Sequence, residues 1–211
     1  MMIRHTLPDT WLMGYAAGTL PEAFNLVIAA HVSLSDDARA RLGAFDAVGA
    51  AVLDEADLVP LSGDSLDRMM ARLDGLPQAN ARAPLAADMI YPAPLADYMD
   101  RGLRWQGLGK GVKQAILKTD SDASARLLCI PAGQAMPDHG HKGMELTLVL
   151  QGAFVDGNRR FGRGDIEVAT ADTDHTPVAE AGADCICLAV TDAPLKFHGL
   201  LPRLAQPFFK I

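Results

Sequence analysis

The chain has 211 residues, 49% of them hydrophobic and 21% charged, enough to bury a real core in one large unit or two small ones. It holds no apolar run of the eighteen or so residues that a membrane span needs, and its three cysteines, with Cys185 and Cys187 only two residues apart, argue against a disulfide framework. The net charge is −7, and residues 1–75 hold 5 basic and 11 acidic side chains, which argues against DNA binding and suits equally a partner with a basic surface or charges that simply keep a small helical unit soluble.

The opening MMIRHTLPDTWLMGYAAGTL has one Arg and no long apolar stretch, so it is a poor signal peptide and a cytoplasmic protein is expected. Pro8 and Asp9 open a helix that stops at Gly18, with Trp11, Leu12 and Tyr15 at helical spacing, facing a core or a partner. Pro21 and Glu22 open a second helix, to about Val32, carrying Phe24, Leu26, Val27 and Ile28. Ser35, Asp36 and Asp37 form the N-cap and first turn of a third, with Leu42, Phe45, Val48, Val52 and Leu53. Ser62 or Asp64 caps a fourth, with Leu66, Met69, Met70 and Leu73. Residues 1–75 therefore read as a small all-α bundle. Residues 76–94, with Pro77, Pro84, Pro92 and Pro94, read as a proline-rich linker. Residues 95–211 read as all-β. Short strands are expected at Val112–Lys118, Ala125–Ile130, Leu146–Leu150, Ala153–Asp156, Asp165–Ala169 and Asp184–Val190, with a hairpin turn at Asp156-Gly157-Asn158. Such spacing indicates a sandwich or barrel. In the tail, Leu204–Ile211, Phe208 and Phe209 are expected to pack.

One stretch, Gly133–Gly152, carries the chemistry. It places His139, His141 and Glu145 within seven residues, and His175 follows. Imidazoles one residue apart share a side in an extended segment. Gly140 and Gly143 permit turns that bring Glu145 back toward them. Three His and one Glu suit Zn²⁺, Fe²⁺, Mn²⁺ or Ni²⁺. The ordinary alternative, two surface histidines and an unrelated glutamate, fits the ligand types and spacing less well. Cys185 and Cys187 face one side of a strand, either as a redox pair or, the favoured reading, as small buried apolar residues. Cys129 reads as core and His198 as surface. Asp138 and Asp174 either orient imidazoles or cap turns. Met136 and Met144 line the pocket or, preferably, pack in the core.

The pattern G-x5-H-x-H-x3-E-x6-G over Gly133–Gly152 resembles the first motif of the cupin family, and G-x-G-D at Gly162–Asp165 followed by His175 resembles a loose second motif. The resemblance implies a cupin barrel, a double-stranded β-helix, with one divalent metal held by His139, His141, Glu145 and His175. Zinc is the first choice and iron, manganese or nickel are the others. AAGTLPEAFNLVIAAHVSLSDDARA, PDHGHKGMELTLVLQGAF, HTPVAE and DCICLAVTDAPL extend the match nearly end to end, and the whole chain resembles the ChrR-type anti-sigma factors of alphaproteobacteria.

That resemblance implies a helical anti-sigma domain that holds an extracytoplasmic-function (ECF) sigma factor away from RNA polymerase, and a cupin domain acting in the response to singlet oxygen and related oxidants. A chemical event at the cupin would change the affinity of the helical domain for sigma, with the linker as hinge. The apolar and acidic faces of the helices, including Trp11 and Tyr15, are the expected partner contacts, and the cupin pocket is a place for a small-molecule ligand. The family's N-terminal zinc pattern is an early His and H-x3-C-x2-C. Here His5 and His31 remain, but Ser35 and Ala38 stand at the cysteine positions, so that zinc is expected to be weak or absent. The rival reading is a metal-dependent cupin enzyme, a dioxygenase or isomerase. The sequence offers no clear acid or base beyond the ligands, which favours a regulatory protein.

Overall fold

A computed structural model describes residues 3–75, 90–99 and 102–199. Most of the linker and the tail from Leu204, with Phe208 and Phe209, lie outside them. Four helices come first: α1 (Asp9–Ala16), α2 (Glu22–Leu34), α3 (Asp36–Asp54) and α4 (Ser65–Asp74). Their starts follow local chemistry. Pro8 and Pro21 stand at the N-caps of α1 and α2, and Ser35 Oγ accepts the Ala38 N–H at 3.1 Å to cap α3. A short turn and helix α5 (Ala96–Met99) lead into the strands.

The strands are β1 (Gln106–Gly109), β2 (Val112–Leu117), β3 (Ser124–Ile130), β4 (His139–Gly140), β5 (Glu145–Gln151), β6 (Ala153–Asp156), β7 (Arg159–Gly162), β8 (Ile166–Ala169), β9 (Asp174–His175), β10 (Val178–Ala179), β11 (Cys185–Thr191) and β12 (Lys196–Phe197). Six form an antiparallel sheet in the order β1-β2-β3-β11-β5-β8, and two three-stranded sheets run β10-β6-β7 and β12-β4-β9. Gly157, at φ 57°, makes the expected β6–β7 hairpin turn. The architecture is cupin-like, but the ladder does not close into the expected barrel. β1 and β8 are the edges of the large sheet, and part of the β8 edge is occupied by the N-terminal segment, where Ile166 N–H donates to the His5 carbonyl at 3.0 Å.

The central strands of the large sheet, β3, β11 and β5, are covered on both faces. Its inner face packs Val112, Ile130, Val149, Cys185 and Cys187 against Phe154 and Phe161 of the β10-β6-β7 sheet. Its outer face, with Ala115, Leu127, Leu148 and Leu188, shares one core with Leu12, Phe24, Val27 and Ile28 of α1 and α2. Helix α2 is apolar nearly all round because it lies between the other helices and the sheet. Polar bonds fix this joint. Asp165 Oδ1 accepts the backbone N–H groups of Arg4 and His5. Glu22 and Asp120 exchange backbone-to-carboxylate hydrogen bonds at 3.0 and 2.7 Å, and Tyr98 OH donates to Glu22.

The expected bundle is incomplete. Leu66, Met69, Met70 and Leu73 occupy one face of α4, yet each is at least 50% exposed, and no residue of α4 is buried. Val48, Val52 and Leu53 of α3 are exposed as well. Periodicity marks a face that wants cover but not what covers it. Four helices of this length leave the second half of α3 and all of α4 beyond the reach of the shared core.

Candidate metal centre

His139 and His175 are directly opposite one another because β4 pairs with β9 in that register. His141 follows two residues after His139, so it returns to the same side. Gly140 lies between them, and a Cβ there would have to push aside the exposed Asp174 carboxylate. The Nε2 atoms of the three rings converge, with His175 at 3.2 Å from both His139 and His141. Nε2 atoms bound at about 2.0–2.1 Å to one tetrahedral ion lie about 3.3 Å apart, so the spacing fits a single metal. All three rings are buried. Burial pushes His141 and His175 below their ordinary values, which keeps their rings neutral, the state a metal requires.

The structure does not place Glu145 at the point of convergence. Its Oε1 accepts the Thr147 hydroxyl at 3.0 Å, and Oε2 lies 3.7 Å from Nδ1 of His141. The outer nitrogens have their own neighbours. His139 Nδ1 meets the Pro137 carbonyl at 2.8 Å. His175 Nδ1 faces Asp156 Oδ2 at 3.4 Å and Glu167 Oε2 at 3.7 Å. Arg159 holds both carboxylates, at 3.3 and 3.0 Å. Burial, with Asp156 beside it, pushes the Glu167 carboxyl up to about 8. Asp156 and Glu167 were missed in the sequence. Their carboxylates reach His175 Nδ1 from strands that do not pair with β9, a placement that local sequence does not signal. Asp138 and Asp174 do not orient imidazoles of the triad: Asp138 accepts from Thr176, and Asp174 meets the exposed His198.

The triad opens into a cavity of about 490 Å³ lined by Leu128, Ile130, Met136 and Phe154, with Arg126, Thr147, Glu167 and Cys187 on its floor. Cys185 and Cys187 are buried with their Sγ atoms 3.5 Å apart. The hydrogen bond between them and burial push the Cys187 thiol well above its ordinary value.

The N-terminal histidines serve the joint. His31 is fully buried, and its Nδ1 meets the Gly164 carbonyl at 3.0 Å. The His5 ring packs 4.4 Å from that of Phe161. Among the described residues, neither belongs to a group of three or more converging donors. Trp11 stacks on Phe24 at 5.1 Å and Tyr15 packs beside the same core, so both are half-buried.

Residues 99–194 match the ChrR cupin-like domain. The anti-sigma-E factor ChrR of Cereibacter sphaeroides is 60% identical over 214 residues, covering 100% of both chains. The chain belongs to the ChrR family of anti-sigma factors. A crystal structure of Rhodobacter sphaeroides SigE in complex with the anti-sigma ChrR matches with a TM-score of 0.80 and 57% identity, over 90% of this chain and 100% of that one. No helix among the described residues is long and apolar enough to cross a membrane. In the ChrR frame, Ser35 and Ala38 sit at the start of α3, where Ser35 spends its hydroxyl on the helix cap.

Proposed function

We propose that this chain is an anti-sigma factor that binds and inhibits an ECF sigma factor. The observation that carries it is the uncovered apolar face of α3 and α4 in a chain related end to end to a ChrR that is solved bound to SigE. Single-chain proteins seldom leave such a stripe to water. Leu66, Met69, Met70 and Leu73 form the partner surface, and the acidic excess of residues 1–75 steers a basic partner toward it. Trp11 and Tyr15 of α1, half-buried beside Phe24, are a second, smaller contact.

Residues 1–75 and 95–211 act as two functional units, sigma-binding and metal-binding, joined by 76–94. The second unit holds one divalent metal, zinc first, through His139, His141 and His175, with Glu145 as fourth ligand after a short side-chain movement. When bound, the metal would supply a Lewis-acid centre facing the cavity. The helical unit is held by packing and by the His31–Gly164 bond, with no zinc of its own. An oxidant such as singlet oxygen, or its product, acts at the metal-bearing cavity. The change reaches the helices through Glu167 and Asp165, two residues apart at the start of β8, and shifts the population of the sigma-binding state.

The test is co-purification of the full chain with the ECF sigma factors of its native host, followed by transcription with core polymerase. A stoichiometric complex that silences the sigma-dependent promoter is expected. No complex with any of them, together with turnover of a small molecule that is lost in His139→Ala, would establish the cupin enzyme instead.

A further inference from the structure

The cavity floor has a charge arrangement that the metal reading does not use. Arg126 of β3, Ala189 of β11, Thr147 of β5 and Glu167 of β8 stand side by side across the large sheet, in direct register. All of them line the cavity. Ala189 is small, so it leaves open the space between the guanidinium and the Thr147 hydroxyl. Arg126 is only 6% exposed. It donates to Gln114 Oε1 at 3.3 Å and to Ser124 Oγ at 3.0 Å, which fixes the fork in place. Glu145, one row further along the sheet, contributes its field.

Among the side chains that line the cavity, Arg126 and Lys110 offset Glu145 and Glu167, so a divalent ion on the triad would leave the cavity positive. The rest of the lining is largely apolar: Leu128 and Ile130 follow Arg126 along the same face of β3, and Leu108, Val112, Met136 and Phe154 complete it. The volume of about 490 Å³ lies within the range of cavities that hold drug-sized molecules. A planar guanidinium and a metal select a carboxylate, and apolar walls reject a polyol or a phosphate, whose remaining oxygens would find no donors.

We propose that this cavity binds a monocarboxylate with an apolar tail, its carboxylate set between the histidine triad and Arg126 and its tail along Leu128, Ile130, Met136 and Phe154. One of the two anchors rests on the metal reading above; the other, Arg126, does not. The occupant is a medium-chain fatty acid or an acid of like shape, and it is the cavity's ligand.

The experiment is calorimetric titration of the full chain, zinc-loaded and chelator-stripped, with decanoate, decanol, decylammonium and acetate. Zinc-loaded protein should bind decanoate at least tenfold tighter than decanol or acetate, and decylammonium not at all. Arg126→Gln should lose most of the preference for decanoate over decanol. Arg126→Lys, which keeps the charge, should retain a clear part of it and guards against a mere folding defect. Stripped protein should bind decanoate more weakly with the same ranking. If zinc does not bind the triad but decanoate still binds in an Arg126-dependent way, the metal reading falls and the ligand assignment stands. Equal binding of decanoate and decanol, binding of acetate as tight as that of decanoate, or a preference unchanged in Arg126→Gln would overturn it.

Discussion

The face of α4 offers a perturbation whose two effects can be separated. Leu66 is 71% exposed and Leu73 is 53% exposed in the free chain. Burying a leucine from full exposure stabilises by about 2 kcal/mol; scaled by those fractions, a partner that covers both gains roughly 1.4 and 1.1 kcal/mol. The double variant Leu66→Ala/Leu73→Ala should therefore weaken sigma binding by about 2.5 kcal/mol, roughly 70-fold in Kd. The free chain should hardly notice, because neither side chain has packing to lose: the expected change in unfolding free energy is within about 0.5 kcal/mol. Leu12→Ala, at 0% exposure, is the contrast and should cost about 2–5 kcal/mol of stability. Surface plasmon resonance against the purified sigma factor and urea unfolding of the free chain give the two numbers. Unchanged sigma affinity in the double variant would refute the assignment of α4 as a contact surface. A large loss of stability would refute the claim that its face is uncovered.

Further outcomes follow from the metal centre and the joint. Asp156→Asn removes a carboxylate facing His175 Nδ1 and should weaken zinc binding roughly 10- to 100-fold in chelator competition; an unchanged affinity would show that this contact does not orient the ring. His141→Ala should leave the chain without bound zinc after gel filtration, measured by elemental analysis; one retained equivalent would place the metal elsewhere. Asp165→Ala strips the acceptor from the N–H groups of Arg4, His5 and Gly162 and should cost about 3 kcal/mol in urea unfolding. Burial lowers the His31 pKa below its ordinary 6.5. The unfolded chain then takes up a proton that the native chain refuses, so this contribution to stability is complete above pH 6.5 and is lost as pH falls below it, by up to about 1.4 kcal/mol per pH unit. His31→Gln should have a shallower acid slope than the natural chain, and equal slopes would exclude His31 as a source.

Local chemistry made much of the chain legible. Pro8, Pro21 and Ser35 announce the helix starts, and the runs that became β2, β3, β5, β6, β8 and β11 carry enough apolar residues to be seen alone. The strands β4, β9, β10 and β12 have two residues each and exist only through their partners, so no window of sequence contains them. His139, His141 and His175 were legible because ligand type and spacing travel together. Asp156 and Glu167 were not, because one reads as a turn residue and the other as an ordinary strand position until folding brings their carboxylates to His175 Nδ1. Leu66, Met69, Met70 and Leu73 are legible as a helix face, but the sequence does not say whether the bundle or a partner covers it, since a stripe has the same period either way.

The burial of α2 on every side has a consequence for how the molecule comes apart. Drawing the helices off the sheet would bare Phe24, Val27 and Ile28 on one side and Leu148 and Leu188 on the other, and neither surface has a polar substitute to offer water. Helices α1 and α2 and the sheet therefore melt as one cooperative unit, with a single calorimetric transition. A ligand or metal taken up by the native sheet raises the melting temperature of these two helices to the same extent. α1 and α2 thus have no stability apart from the sheet, and what is done at the triad is felt there as a change in the free energy of the whole, while α4, which buries no residue, stands outside that unit.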